Sequence, residues 1–179
     1  MFILYLIIQT KAVAERLPEI TLDKVTKKEI EIIVDYLSTI EDWGYFELAA
    51  YTNCLGFFDA DYRNFQYNDV IRQFRKFKGL PKYQHTLIKF LANSIILEFD
   101  EANYERVLEL LPILYDETTD SDYLKGRIYW KFFMRLYQSA IGNFEFDGSI
   151  AIETLRLLGY EEEAENLVAI ETSVLHKIN

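Results

Sequence analysis

Apolar residues recur at three- and four-residue spacing along almost the whole chain, and strict alternation is nearly absent, so the pattern predicts helices and no strand. The first helix is expected from about Phe2 to Leu17, stopping at Pro18. Thr26 to Glu29 reads as a capping box, in which hydroxyl and carboxylate exchange bonds with orphan amides. It opens a second helix with Ile30, Ile33, Val34, Leu37 and Ile40 on one stripe. Trp43-Gly44 marks a turn, and a third helix spans about Tyr45 to Phe58. Asp61 is placed to cap a fourth, Tyr62 to Lys78, which ends at Gly79. Pro81 suits the first turn of a fifth helix reaching Phe99, where its missing N–H has no partner to lose.

Asp100 to Asn103 connects to a sixth helix, Tyr104 to Tyr115, whose last turn Pro112 should kink or convert. The acidic loop Asp116 to Asp122 leads to a seventh helix, Tyr123 to Ile141. Gly142-Asn143 and Asp147-Gly148 bracket the next connection. The last two helices, Ser149 to Leu158 and Tyr160 to His176, are separated by Gly159. About nine helices joined by short loops require antiparallel neighbours, which stack into a bundle or an α-solenoid. Asn103-Tyr-Glu-Arg-Val107-Leu, Gly159-Tyr-Glu-Glu-Glu-Ala164 and Trp43-Gly-Tyr-Phe-Glu-Leu48-Ala look alike. Each resembles the start of a second helix in a tetratricopeptide-like hairpin, at a spacing too irregular for a regular repeat.

Composition narrows the function. With 179 residues, half of them apolar, and only three prolines and seven glycines, one packed domain over 1–179 is expected. The formal charge of −10 repels a phosphate backbone, so DNA contact would need a separate basic module. Met1 to Ile8 is apolar, and Ala12-Val13-Ala14 faintly resembles a signal-peptidase site. No basic residue precedes that run, Lys11 interrupts it, and it is too short to span a bilayer. The expectation is a cytoplasmic fragment of a longer protein with no membrane contact.

Enzymatic machinery is hard to find. His85 and His176 lie far apart, each among polar or charged neighbours, and read as surface or helix-end residues. Cys54, the only cysteine, has no companion at metal-ligand spacing; it reads as a buried thiol, against an intermolecular or redox role. No phosphate-cradling glycine loop or nucleophile elbow occurs, so no cofactor or metal is expected. Charge, however, is segregated. Arg63 to Lys89 holds seven basic residues against Asp69 alone, and Glu98 to Asp122 holds nine acids against Arg106 alone. These are either solvated faces pairing between hairpins or, in part, a groove for an anionic group.

Asn53 and Asn93 sit in apolar helix segments, where an amide is costly to bury unpaired. Each amide could bond an extended peptide backbone or a neighbouring carbonyl, and both readings stay open. Tyr123, Arg127, Trp130 and Met134 share one face of the seventh helix. Such a stripe is usually core, but Arg127 within it argues for a ligand contact, since a guanidinium is seldom buried unpaired.

Asp42-Trp-Gly-Tyr-Phe-Glu-Leu48, Tyr51-Thr-Asn53-Cys-Leu55 and Leu157-Leu-Gly-Tyr-Glu-Glu-Glu-Ala164-Glu-Asn-Leu167 together resemble the C-terminal region of Rgg/GadR/MutR transcription regulators. The resemblance covers essentially the whole chain. It implies an all-α, tetratricopeptide-like sensor, a right-handed α-solenoid, joined in Gram-positive regulators to a helix-turn-helix half absent here. It also implies a homodimer that binds a short hydrophobic signalling peptide on a concave face, and DNA only through that missing half. Family peptide sites fall at Asn53 and Tyr123; Cys54 stands where some peptide-binding members carry a basic residue. Asn53, Asn93, Tyr123, Arg127 and Trp130 are therefore the candidate peptide contacts, and Ile150 to Ile178 is expected to supply part of the dimer interface. The competing readings are a helical scaffold that docks a protein partner, a helical hydrolase, and a sensor of some other ligand.

Overall fold

Among residues 1–15, 17, 19–142 and 147–178, which the computed structural model describes, nine α-helices form and no strand does. They are α1 (Phe2–Ala14), α2 (Lys27–Ser38), α3 (Tyr45–Cys54), α4 (Ala60–Arg75), α5 (Pro81–Asp100), α6 (Tyr104–Asp116), α7 (Leu124–Ala140), α8 (Ser149–Leu157) and α9 (Glu161–Ile178). Single 3-10 turns, Leu55–Phe57 and Ser121–Tyr123, follow α3 and precede α7. The expected helix stop at Pro18 and turn at Asn143 fall outside the described residues.

Local chemistry explains most boundaries. Thr26 caps α2 with the anticipated box: its hydroxyl accepts from the Glu29 N–H, and the Glu29 carboxylate accepts from the Thr26 N–H at 2.8 Å. The fourth helix starts two residues earlier than expected, because Asp59, not Asp61, holds extended backbone and accepts from the Tyr62 N–H at 2.7 Å. The third helix tightens into its 3-10 turn at Leu55 instead of running through Phe58, which is extended and leads into that cap. Pro112 does not end α6; it lies on the exposed side, so the Leu108 carbonyl it frees can be met by water. Gly159, at φ 81°, turns the chain out of α8 while the Tyr160 N–H bonds the Leu155 carbonyl at 2.9 Å.

Contacts divide the chain into two compact units, Met1–Leu87 and Ile88–Asn179, with the boundary inside α5. In the first unit, α1 and α4 each pack on α3 over a core of Ile8, Ile33, Leu37, Leu48, Tyr51 and Phe74. Tyr36 on α2 donates to Glu47 on α3 at 2.7 Å, and that bond raises the Tyr36 pKa. In the second unit, α6 pairs with α7 and α8 with α9, and α7 also touches α8 and α9. Its core contains Phe90, Phe99, Leu110, Phe132, Phe133 and Leu136.

Lys11 on α1 bonds Glu29 of the α2 cap at 2.7 Å, with both side chains more than four-fifths buried. This bond, and the two from Thr26, hold the Glu29 carboxyl at about 2, below its ordinary 4.5. A depressed carboxylate pKa stabilises the fold above the unfolded value and loses that contribution as pH falls towards the folded one. The expected result is an acid limb in the pH profile of thermal stability between about pH 4.5 and 2, which Glu29→Gln flattens. The difference at neutral pH should be on the order of 1–2 kcal/mol after allowance for solvent screening. Parallel acid limbs in wild type and variant would show that this pair is energetically idle.

Candidate functional site

Asn53 lies on α3 between Thr52 and Cys54, which are both buried, and is itself half-buried. Its amide donates to the Tyr5 hydroxyl on α1 at 2.6 Å. One turn along α1, Gln9 donates to the Cys54 thiol at 3.7 Å. Burial raises that thiol to about 11, and Gln9 offsets this only in part, so Cys54 is an unreactive neutral thiol at physiological pH. Two polar side chains of α1 therefore meet the last two positions of α3, Asn53 and Cys54. Sequence reasoning overlooked Tyr5 and Gln9; the available signal was their four-residue spacing in an otherwise apolar helix.

The second unit gathers three of its side chains. Arg127 on α7 donates through Nε to the Thr118 carbonyl at 3.1 Å and through Nη2 to the Tyr115 carbonyl at 3.0 Å. Its guanidinium thereby adds to the bonds where α6 ends, the Tyr115 carbonyl also accepting from the Thr118 N–H at 3.2 Å, with the favourable sign of charge for a helix C-terminus. It also lies over the Tyr115 ring, 4.0 Å from the centroid, and 5.4 Å from the Trp130 ring. Tyr115 and Trp130 meet edge to face at 4.8 Å. Tyr115 was not anticipated, because its partners lie 12 and 15 positions away on another helix.

The stripe Tyr123, Arg127, Trp130 and Met134 is half-buried throughout, while the core face of α7 is Gly126, Ile128, Phe132, Phe133 and Leu136. The predicted face is therefore separate from the packing face. Tyr123 closes the 3-10 turn one helical turn before Arg127. The Trp130 Nε1–H is buried and meets no acceptor among the described residues. The side-chain amide of Asn93, half-buried on α5, likewise makes no hydrogen bond among them. On α7 the resulting set is an indole N–H and a guanidinium with donors to spare, on an aromatic surface, while the Asn93 amide stands on α5.

The segregated charges are largely spent on local partners. Arg63 is buried and donates to the Phe58 carbonyl at 2.6 Å, Arg72 pairs with Asp69 at 2.9 Å, and Lys76 pairs with Asp42. Lys82 lies 4.5 Å above the Tyr45 ring, and Lys125 bonds Glu163 at 2.6 Å. Among the described residues no helix is long and apolar enough to cross a membrane.

A crystal structure of a protein described as a transcriptional regulator of Listeria monocytogenes EGD-e shares this fold, with a TM-score of 0.76 at 18% identity. The match covers 87% of this chain and 55% of that one, so the chain spans little more than half the length of that relative. A sequence model of the C-terminal domain of the HTH-type transcriptional regulator Rgg matches residues 3–168. That match takes in α1 to α8 and the first part of α9, with every candidate residue above. The chain belongs to the Rgg C-terminal domain family of transcription regulators.

Proposed function

We propose that this domain is the sensor of its regulator: it binds a short hydrophobic peptide, dimerises in the cytoplasm, and leaves DNA contact to a helix-turn-helix half. The observation that carries the reading is the Trp130 Nε1–H, buried without an acceptor beside Arg127 and Tyr115. A buried donor left unmade costs free energy, and a peptide carbonyl would recover it once the half-buried indole turns its N–H towards the ligand. Arg127 and Asn93 supply further donors for a peptide backbone, and the exposed aromatic edges supply apolar contact. Tyr123 and Asn53 enter on the family resemblance; for Asn53, a ligand would have to share or displace the Tyr5 bond. Peptide binding would shift the populations of two dimer geometries, and so the spacing of the DNA-binding halves.

The test is a thermal-shift titration of the chain with short hydrophobic peptides, comparing wild type with Trp130→Phe and Asn53→Ala. Ligand at a hundredfold excess over Kd stabilises the native state by about 2.7 kcal/mol, which for a chain of this size is roughly a 5–10 °C rise in Tm. Trp130→Phe keeps an aromatic ring and deletes the donor, so it should weaken binding about five- to tenfold. A full wild-type response in Trp130→Phe would remove the indole from the site. No shift with any peptide, from a folded chain, would turn the reading to a scaffold that docks a protein partner.

A further inference from the structure

Residues from the end of α2, the turn after it and α4 line a cleft of about 190 Å³ in the first unit. Pockets for drug-sized ligands enclose roughly 300–1,000 Å³, so this one suits a single small head group. None of the candidate peptide contacts lines it.

Two acceptors of the cleft are unspent. Gln73 is 8% exposed; its Nε2 donates to the Glu41 carbonyl at 2.9 Å, while its Oε1 is buried and meets no donor among the described residues. Such an acceptor costs free energy until a donor reaches it. The Glu41 carboxylate is exposed and pairs with no base among the described residues. The base lining the cleft, Arg72, is already taken by Asp69 at 2.9 Å, and Lys76, one turn on, by Asp42. The carbonyl end of α2 adds negative potential. Trp43 has spent its Nε1–H on the Leu37 and Ile40 carbonyls, so it offers the cleft only ring surface.

We propose that the cleft takes a guanidinium group. One edge of the group bonds the Glu41 carboxylate, another donates to Gln73 Oε1, and the plane packs against Trp43. A guanidinium presents five donors in a flat fork and is weakly hydrated, whereas an ammonium is a compact, strongly hydrated point charge. Oε1 has no solvent contact in the free state, so binding includes a shift of the Gln73 amide towards the cleft. The group belongs either to free arginine or to an arginine side chain of a partner protein.

A heteronuclear NMR titration of the full 179-residue chain tests it, with L-arginine as the free probe and N-acetyl-glycyl-arginyl-glycinamide as the side-chain probe. The Trp43 indole N–H and Gln73 side-chain amide resonances should move saturably, with a Kd of about 1 mM. Glu41→Gln, at an exposed position, should weaken binding about tenfold. Gln73→Met deletes Oε1 and should weaken it about fivefold; Glu41→Gln decides the matter where Gln73→Met does not fold. Citrulline, the uncharged isostere, and lysine should each bind about tenfold more weakly than arginine. Tighter binding of free arginine assigns the site to a small effector, and tighter binding of the peptide to a partner's side chain. No saturable movement at about ten times the expected Kd overturns the assignment, as does equal binding by Glu41→Gln, by citrulline or by lysine. Hydrophobic peptides without arginine should leave both resonances in place, which separates this site from that of the signalling peptide.

Discussion

Phe133→Ala should lower stability by about 3–5 kcal/mol, and Tm by roughly 6–20 °C. Phe133 is 1% exposed and meets three rings, Phe132 at 5.8 Å, Tyr129 at 6.2 Å and Phe99 at 6.4 Å. Deleting the ring removes both its transfer free energy and its share of these ring contacts, and it leaves a void lined by the buried Phe99 and Phe132 and the half-buried Tyr129. Phe99 lies on α5 and the other two on α7, so the void opens at the seat of α7, the helix that carries Arg127 and Trp130. Differential scanning calorimetry of wild type and variant measures the effect. A Tm change below about 3 °C would mean that the ring is not packed as described.

Gly126→Ala should cost about 1–2 kcal/mol, although helix propensity alone favours alanine by up to about 1 kcal/mol. An added Cβ would lie 2.6 Å from the Thr118 γ-methyl and 2.8 Å from the Ile88 γ-methyl. Both methyls are one bond from a β-carbon, and Thr118 is held further by its hydroxyl bond to the Leu114 carbonyl at 2.7 Å. Neither can swing aside freely, so α7 must back away. The Thr118 carbonyl also accepts from Arg127, so the same displacement loosens the guanidinium. Destabilisation should therefore be accompanied by weaker peptide binding. Gly56→Ala serves as control, since nothing lies within 4 Å of a Cβ there. Equal melting temperatures for the Gly126→Ala and Gly56→Ala variants would refute the steric account.

Helix periodicity and its punctuation carried most of the fold into the sequence. The Thr26–Glu29 box, the turn at Gly159 and the start at Pro81 are local devices, each complete within a few residues. Where two devices competed, as with Asp59 and Asp61, the choice depended on which residue held extended backbone, and composition does not encode that. The candidate site was legible as residue types and far less so as partners. That Arg127 needs anions or acceptors was evident; that it finds two carbonyls at the end of α6 and an aromatic ring was not. Asn53 is a sharper case, since its partner Tyr5 stands 48 positions away and only packing brings α1 to α3.

The chain has two tryptophans, Trp43 in the first unit and Trp130 in the second. Trp43 is 6% exposed and donates to the Ile40 carbonyl at 3.1 Å, whereas Trp130 is half-buried beside a cation. Fluorescence therefore has a separate built-in reporter for each unit: a blue-shifted emitter seated in a core, and an emitter whose spectrum responds to the field of Arg127. With one indole replaced by phenylalanine at a time, denaturation followed by emission reads the two halves independently. Coincident transitions would identify a single cooperative body, and separated ones would rank the halves by stability.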